Sequence, residues 1–138
     1  MIELRAYWMG RDVKFKRELT PDIRQNATET LRRVNTLLEA MAGDGVVPEA
    51  NATGSLVNSG WRPAAVNAGV PGAAVRSKHM TGQAVDLFDP EGELDDWCMD
   101  HLGALEAVGL WLEHPSATKG WCHLQTVPPK SQRRVFYP

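Results

Sequence analysis

The sequence predicts an α+β domain, and three observations carry that reading. Two stretches, Ile23 to Met41 and Leu94 to Val108, repeat apolar residues at helical spacing. Around them lie short segments such as Gln83 to Phe88, whose residues alternate faces and which end at turn signals such as Asp89-Pro90-Glu91-Gly92. The chain of 138 residues shows no internal repeat, and a single core typically takes ~100–200 residues. The expectation is helices flanking a small antiparallel sheet in one domain, 1–138, with an N-terminal arm over 1–19 and a core over 20–138.

Each element follows from local chemistry. Ile2 to Leu19 mixes Tyr7, Trp8 and Phe15 with many charges and reads as an extended arm with a short strand. Thr20 can cap a helix, Pro21 suits its first position, and Asp22 suits the positive end of its dipole. The helix should run from Pro21 to Ala42 and stop at Gly43. Gly54 to Gly60 reads as a short strand and Pro63 to Ala68 as a helical turn. Gly69 to Ala74 is a loop, Thr81-Gly82 a turn, and Gln83 to Phe88 a strand. A second amphipathic helix should carry Leu94, Trp97, Cys98, Leu102, Leu105 and Val108 and end at Gly109. Leu110 to Leu112 is short and apolar, Glu113 to Gly120 a loop, and Trp121 to Val127 and Arg133 to Tyr137 are strands.

Composition excludes several classes. Lys and Arg total 15 against 17 Asp and Glu, a net charge of −2. Binding nucleic acid through its phosphates needs a basic surplus, so none is expected as a partner. Apolar residues at 43% and charged residues at 23% suit a globular protein, not a disordered one. No apolar run nears the ~20 residues that span a bilayer, so membrane insertion is not expected. Met1 to Gly10 holds Glu3 and Arg5 and no long apolar stretch, unlike a secretory signal. A monomer, cytoplasmic as synthesised, is the expectation. Cys98 and Cys122 are the only cysteines, too few for a disulfide framework or a CxxC-type zinc site.

The chemistry concentrates in His79, Asp86 and His123. Asp86 sits in the apolar strand sequence Ala-Val-Asp-Leu-Phe, where a lone carboxylate is costly unless paired, hydrogen-bonded or metal-bound. Trp121, His123 and Gln125 share one face of their strand, and Cys122 and Leu124 the other. Two imidazoles, one carboxylate and an open fourth position form a ligand set for hydrolytic zinc. The same residue types also suit a packed, hydrogen-bonded pair.

The surrounding residues add a resemblance. Ser77 to Asp86 reads S-x-H-x-x-G-x-A-x-D, with Ser59-Gly60-Trp61-Arg62-Pro63 upstream and Trp121-Cys122-His123-Leu124-Gln125 downstream. This ordered set resembles the M15 family of zinc peptidases, the D-alanyl-D-alanine carboxypeptidase and peptidoglycan endopeptidase group, over roughly Gly54 to Val127. The resemblance implies a Hedgehog/DD-peptidase-like fold with His79, Asp86 and His123 as Zn2+ ligands. It implies Arg62 as the group that binds substrate and steadies negative charge; Ser77 and Trp121 are read as further substrate-binding candidates. It further implies hydrolysis of peptidoglycan stem peptides, at D-Ala-D-Ala or L-Ala-D-Glu bonds. A compact version resembles a phage or prophage endolysin or virion-associated peptidase, brought to the cell wall after release or by another factor.

One departure stands out. Where many family members carry a general-base glutamate, three residues before the last zinc histidine, this chain has Gly120. The family's frequent acidic residue two positions after that histidine is replaced by Gln125. Glu113 is the expected replacement base, with His114 as second choice. If neither serves, the alternative is a non-catalytic zinc-binding structural or interaction domain of the same fold. His101 reads as a packed helix residue, Cys98 as core, Cys122 as no ligand, and Trp61 as core or cleft lining. The cations between Lys130 and Arg134 read as a solvated tail.

Overall fold

The computed structural model describes residues 1–138. The longest element, α3 (Pro21–Gly43), starts as the sequence predicts: the Thr20 side chain accepts a hydrogen bond from the Ile23 amide at 3.2 Å. Its buried stripe includes Ala27, Leu31, Val34, Leu37, Leu38 and Met41. Fully burying a side chain such as Leu37 contributes roughly 1.5–3 kcal/mol, far more than helix propensity does. That stripe fixes which way the helix faces.

A five-stranded mixed sheet packs beneath it. Its strands are β1 (Val57–Ser59), β2 (Ala84–Asp89), β3 (Trp111–Glu113), β4 (Gly120–Gln125) and β5 (Val135–Phe136), in the order β1-β2-β4-β3-β5. All neighbours are antiparallel except β3 and β5, which run parallel. The α+β architecture is therefore as expected, with the last strand departing from a purely antiparallel sheet. A two-residue strand at the edge needs only backbone bonds such as Leu112 N to Arg134 O (2.9 Å) and His114 N to Phe136 O (2.7 Å), so either direction is open to it.

The alternation of side chains divides the sheet into two faces. Val85, Leu87, Cys122 and Leu124 point into the apolar core with the α3 stripe. Asp86, Trp121, His123 and Gln125 lie on the opposite face and line a cleft. No helix is long and apolar enough to cross a membrane.

Two expectations are corrected. Residues 1–19 are not an extended arm: they form α1 (Leu4–Trp8), α2 (Arg11–Lys14) and a 3-10 turn at Lys16–Glu18. Tyr7 and Trp8 are buried, and Trp8 meets the edge of Trp61 with ring centres 5.9 Å apart. Aromatic burial, which periodicity over so short a stretch cannot reveal, makes this segment part of the core. The second amphipathic helix is in fact two, α5 (Glu93–Asp100) and α6 (Leu102–Val108), broken at His101. His101 is half-exposed rather than packed inside; its Nδ1 lies 2.7 Å from the Trp97 carbonyl and its ring stacks on Trp97 at 4.0 Å. A short helix, α4 (Ala64–Ala68), occupies the predicted turn after Pro63.

Candidate metal and catalytic site

The site is assembled from three chain segments. β2 and β4 pair so that Asp86 stands directly across from His123. Between them Asp86 Oδ1 and His123 Nδ1 lie 2.7 Å apart. His79 enters from the segment joining β1 to β2, with Nε2 3.3 Å from Asp86 Oδ2. Arg62 approaches the same oxygen, with an Nη2 hydrogen bond of 3.3 Å, while its Nε donates to Ser59 Oγ at 2.8 Å. One carboxylate thus faces two imidazoles and a guanidinium.

Two glycines of the sequence motif explain how His79 is held. Gly60 has no room for a Cβ, which would collide with the Tyr7 carbonyl oxygen. This close approach accompanies the bond from Trp61 N to Tyr7 O (3.2 Å) and places Gly60 O 2.9 Å from His79 Nδ1. A carbonyl only accepts, so His79 carries its hydrogen on Nδ1 and turns Nε2 towards Asp86. Gly82 has φ +76°, and a Cβ there would lie 2.8 Å from the Ile23 carbonyl oxygen on α3. Thr30 Oγ1 donates to Gly82 O at 2.8 Å and Asn26 Nδ2 to Thr81 O at 3.0 Å, so α3 clamps the turn that separates His79 from Asp86.

Burial sets the electrostatics. It acts to raise the Asp86 carboxyl, but the charges and hydrogen bonds of His79 and His123 outweigh it and hold the group well below the usual carboxylate range. Burial lowers His79. Burial acts to lower His123, but its hydrogen bond to Asp86, that carboxylate's charge and a further hydrogen bond to Gln125 Oε1 overcome it and raise the imidazole.

The donor set fits a metal ion. One ligand atom from each of His79, Asp86 and His123 lies within 4.8 Å of the others, and all three residues are buried. Two imidazole nitrogens and a carboxylate oxygen suit a divalent first-row metal. Beside them opens a cleft of about 320 Å³ lined by Arg62, Ser77, Glu113 and Trp121, among others.

Of the two residues weighed as general base, Glu113 lines this cleft at the end of β3, whereas His114 does not. Burial raises the Glu113 carboxyl, with Asp86 adding to the shift and His123 opposing it. His114 is committed elsewhere: its Nδ1 accepts from the Ser116 amide at 3.1 Å and its ring stacks on Tyr137 at 4.5 Å. Gly120 opens β4 and offers no side chain. Ser77 Oγ accepts from the His79 amide at 3.2 Å. Trp61 belongs to the core, its Nε1 donating to Met80 O at 3.1 Å, and Cys98 and Cys122 are buried in the core. Arg134 is no solvated tail residue; it lies over the Trp111 ring at 4.3 Å and donates to Leu110 O at 3.0 Å.

Sequence reasoning missed Asp89, whose carboxylate accepts from the amides of Leu94 (3.0 Å) and Asp95 (2.9 Å) and anchors α5 at the end of β2. The Asp-Pro-Glu-Gly run reads as a strand breaker; the helix cap position itself is Gly92, and Asp89 reaches the first-turn amides from three residues before it.

A buried His-Asp-His trio able to hold a metal ion lines an open cleft on one face of the α+β sheet. The chain belongs to the peptidase M15 family: the profile described as Peptidase M15 matches residues 13–103. The matched region holds Arg62, Ser77, His79 and Asp86 and stops short of Glu113 and His123, which the sheet brings to the same cleft. No curated protein and no solved structure matches the chain.

Proposed function

We propose that this protein is a zinc-dependent peptidase acting on the stem peptides of peptidoglycan. The observation that carries the reading is the shared cleft. The His79-Asp86-His123 trio, an ionisable carboxyl at Glu113 and the cation Arg62 all border one space open to solvent.

Zinc held by the trio supplies Lewis acidity, polarising a peptide carbonyl and making water acidic near neutral pH. The chain's own groups supply the rest. Glu113, raised by burial, takes the proton of the attacking water and returns it to the leaving amine. Arg62 is oriented by Ser59 and Asp86 through Nε and Nη2, which leaves Nη1 to meet a carbonyl oxygen or a substrate carboxylate. Trp121 and Ser77 border the cleft where the peptide lies, and Arg76 and Lys78 line it too. Cations along the cleft favour a peptide rich in carboxylates, and stem peptides are such peptides. The family resemblance supports cleavage at D-Ala-D-Ala or L-Ala-D-Glu and a role as a phage or prophage endolysin or virion-associated peptidase.

The test is digestion of purified peptidoglycan by zinc-loaded protein, read by mass spectrometry. Release of D-alanine, or new amino termini at D-glutamate, is expected and should vanish in His123→Ala and Glu113→Ala. Intact peptidoglycan at full zinc occupancy would overturn the enzymatic reading. It would favour a non-catalytic zinc-binding domain, the reading that Gly120 in place of the family's glutamate supports.

A further inference from the structure

The hydrogen bonds behind His123 carry an inference about a residue that no part of the reaction above uses. Gln125 lies two residues along β4 on the same face and is buried. Its Nε2 donates to the Val127 carbonyl oxygen at 2.7 Å. A carbonyl oxygen accepts and never donates, so this bond fixes which end of the amide is nitrogen. Gln125 Oε1 is therefore the atom 2.9 Å from His123 Nε2. That oxygen also only accepts, so the hydrogen of the pair sits on His123 Nε2.

We propose that Gln125 is a positioning residue that holds hydrogen on His123 Nε2, so that Nδ1, which faces the Asp86 carboxylate as a donor at 2.7 Å, is the nitrogen that gives up its hydrogen to a metal. His79 is held the opposite way round. The Gly60 carbonyl takes its Nδ1–H, and Nε2 faces Asp86. The two imidazoles thus present different nitrogens to one carboxylate, each set by an acceptor behind the ring. For His79 that acceptor is the backbone carbonyl of Gly60. For His123 it is one side chain. A glutamine supplies the acceptor without adding a second negative charge beside Asp86. Acceptors behind metal-bound histidines set ring orientation and tautomer, and losing one costs roughly 10–100-fold in metal affinity.

The inference rests on the reading of His79, Asp86 and His123 as a metal site, and the experiment separates the two. Zinc dissociation constants are measured by chelator competition for wild type, Gln125→Leu and Gln125→Glu. Long-range proton–nitrogen NMR of 15N-histidine-labelled, zinc-loaded protein reports which His123 nitrogen carries hydrogen. The expected result is Nε2–H in wild type, zinc affinity weakened about 10–100-fold in Gln125→Leu, and affinity restored to near wild type in Gln125→Glu, which keeps an acceptor. Hydrogen on Nδ1 in wild type, or undiminished affinity in Gln125→Leu, overturns the inference while leaving the metal site standing. Wild type that takes up no zinc overturns both. Should Gln125→Leu fail to fold, the wild-type spectrum and Gln125→Glu decide the matter.

Discussion

Asp86 and His123 face each other across β2 and β4, with carboxylate oxygen and ring nitrogen 2.7 Å apart. The antiparallel register of the two strands places the two residues opposite each other. Asp86 is also the only acid among the hydrogen-bond partners of Arg62, whose side chain is 11% exposed. Replacing Asp86 with Asn should therefore strand a buried cation. Without metal, the variant is expected to lose on the order of 3 kcal/mol of unfolding free energy in urea titrations. An unchanged urea midpoint would show that Arg62 does not depend on the carboxylate.

Gly60 should tolerate no side chain. A methyl group there would collide with the Tyr7 carbonyl oxygen, and backbone rather than a flexible side chain would have to move. Gly60→Ala is expected to cost about 1–3 kcal/mol, as overpacking does elsewhere. It should also weaken zinc binding, because the displaced carbonyl is the acceptor for His79 Nδ1. Calorimetric melting and zinc titration of the variant check the two effects separately, and zinc affinity equal to wild type would contradict the anchoring role.

Glu113 and His114 are adjacent in sequence but differ in placement, and so should differ in consequence. Glu113→Gln is expected to lower the turnover number about 10²–10⁴-fold at unchanged zinc content. His114→Ala, which removes a surface stack and a cap, should leave turnover near wild type. Single-turnover hydrolysis of isolated stem peptides measures both. The reverse ranking would move the proton transfer to His114.

Asp95 predicts a pH dependence. Its carboxyl is pushed up to about 6, chiefly by burial and further by Asp89, against hydrogen bonds that lower it. Thr118 Oγ1 donates to one carboxyl oxygen at 3.2 Å, and the other oxygen has no partner. An unfolded aspartate titrates near ~3.9. Between those values the folded protein keeps a proton that the unfolded chain has released. Stability from this group is therefore greatest at low pH, falls as pH rises through that window, and levels off above the folded value. The wild-type minus Asp95→Asn difference in unfolding free energy should shift by about 1–3 kcal/mol in the destabilising direction between pH ~4 and pH ~7. Parallel curves for the two proteins would contradict the shift.

How much of this was legible beforehand depended on the range of the interaction. Thr20, Pro21 and the stripe from Ile23 to Met41 act within one helix, so its start is where the sequence places it and its end differs by one residue. The facing of His123 and Gln125 away from Cys122 and Leu124 follows from strand alternation alone. By contrast, the burial of Tyr7 and Trp8 depends on contacts with Ala84 and Trp61, more than fifty residues away, including a bond from Tyr7 Oη to Ala84 O of 2.7 Å. No local pattern announces such partners. The break at His101 is likewise a tertiary fact. Gln125 differs: its partners His123 and Val127 are each two residues away, but the bonds follow from side-chain geometry that residue type does not announce. The sequence pattern pointed to His79, Asp86 and His123 as a group, and the structure shows that they meet.

The most direct measurement of the central claim is zinc stoichiometry by isothermal titration calorimetry, on wild type and on His79→Ala, Asp86→Ala and His123→Ala. Folding of each variant is confirmed by circular dichroism. One zinc per chain in wild type, and loss of that binding in each of the three folded variants, is what a single shared metal centre predicts. Zinc binding that survives in any folded variant at wild-type affinity, or its absence in wild type, would contradict it.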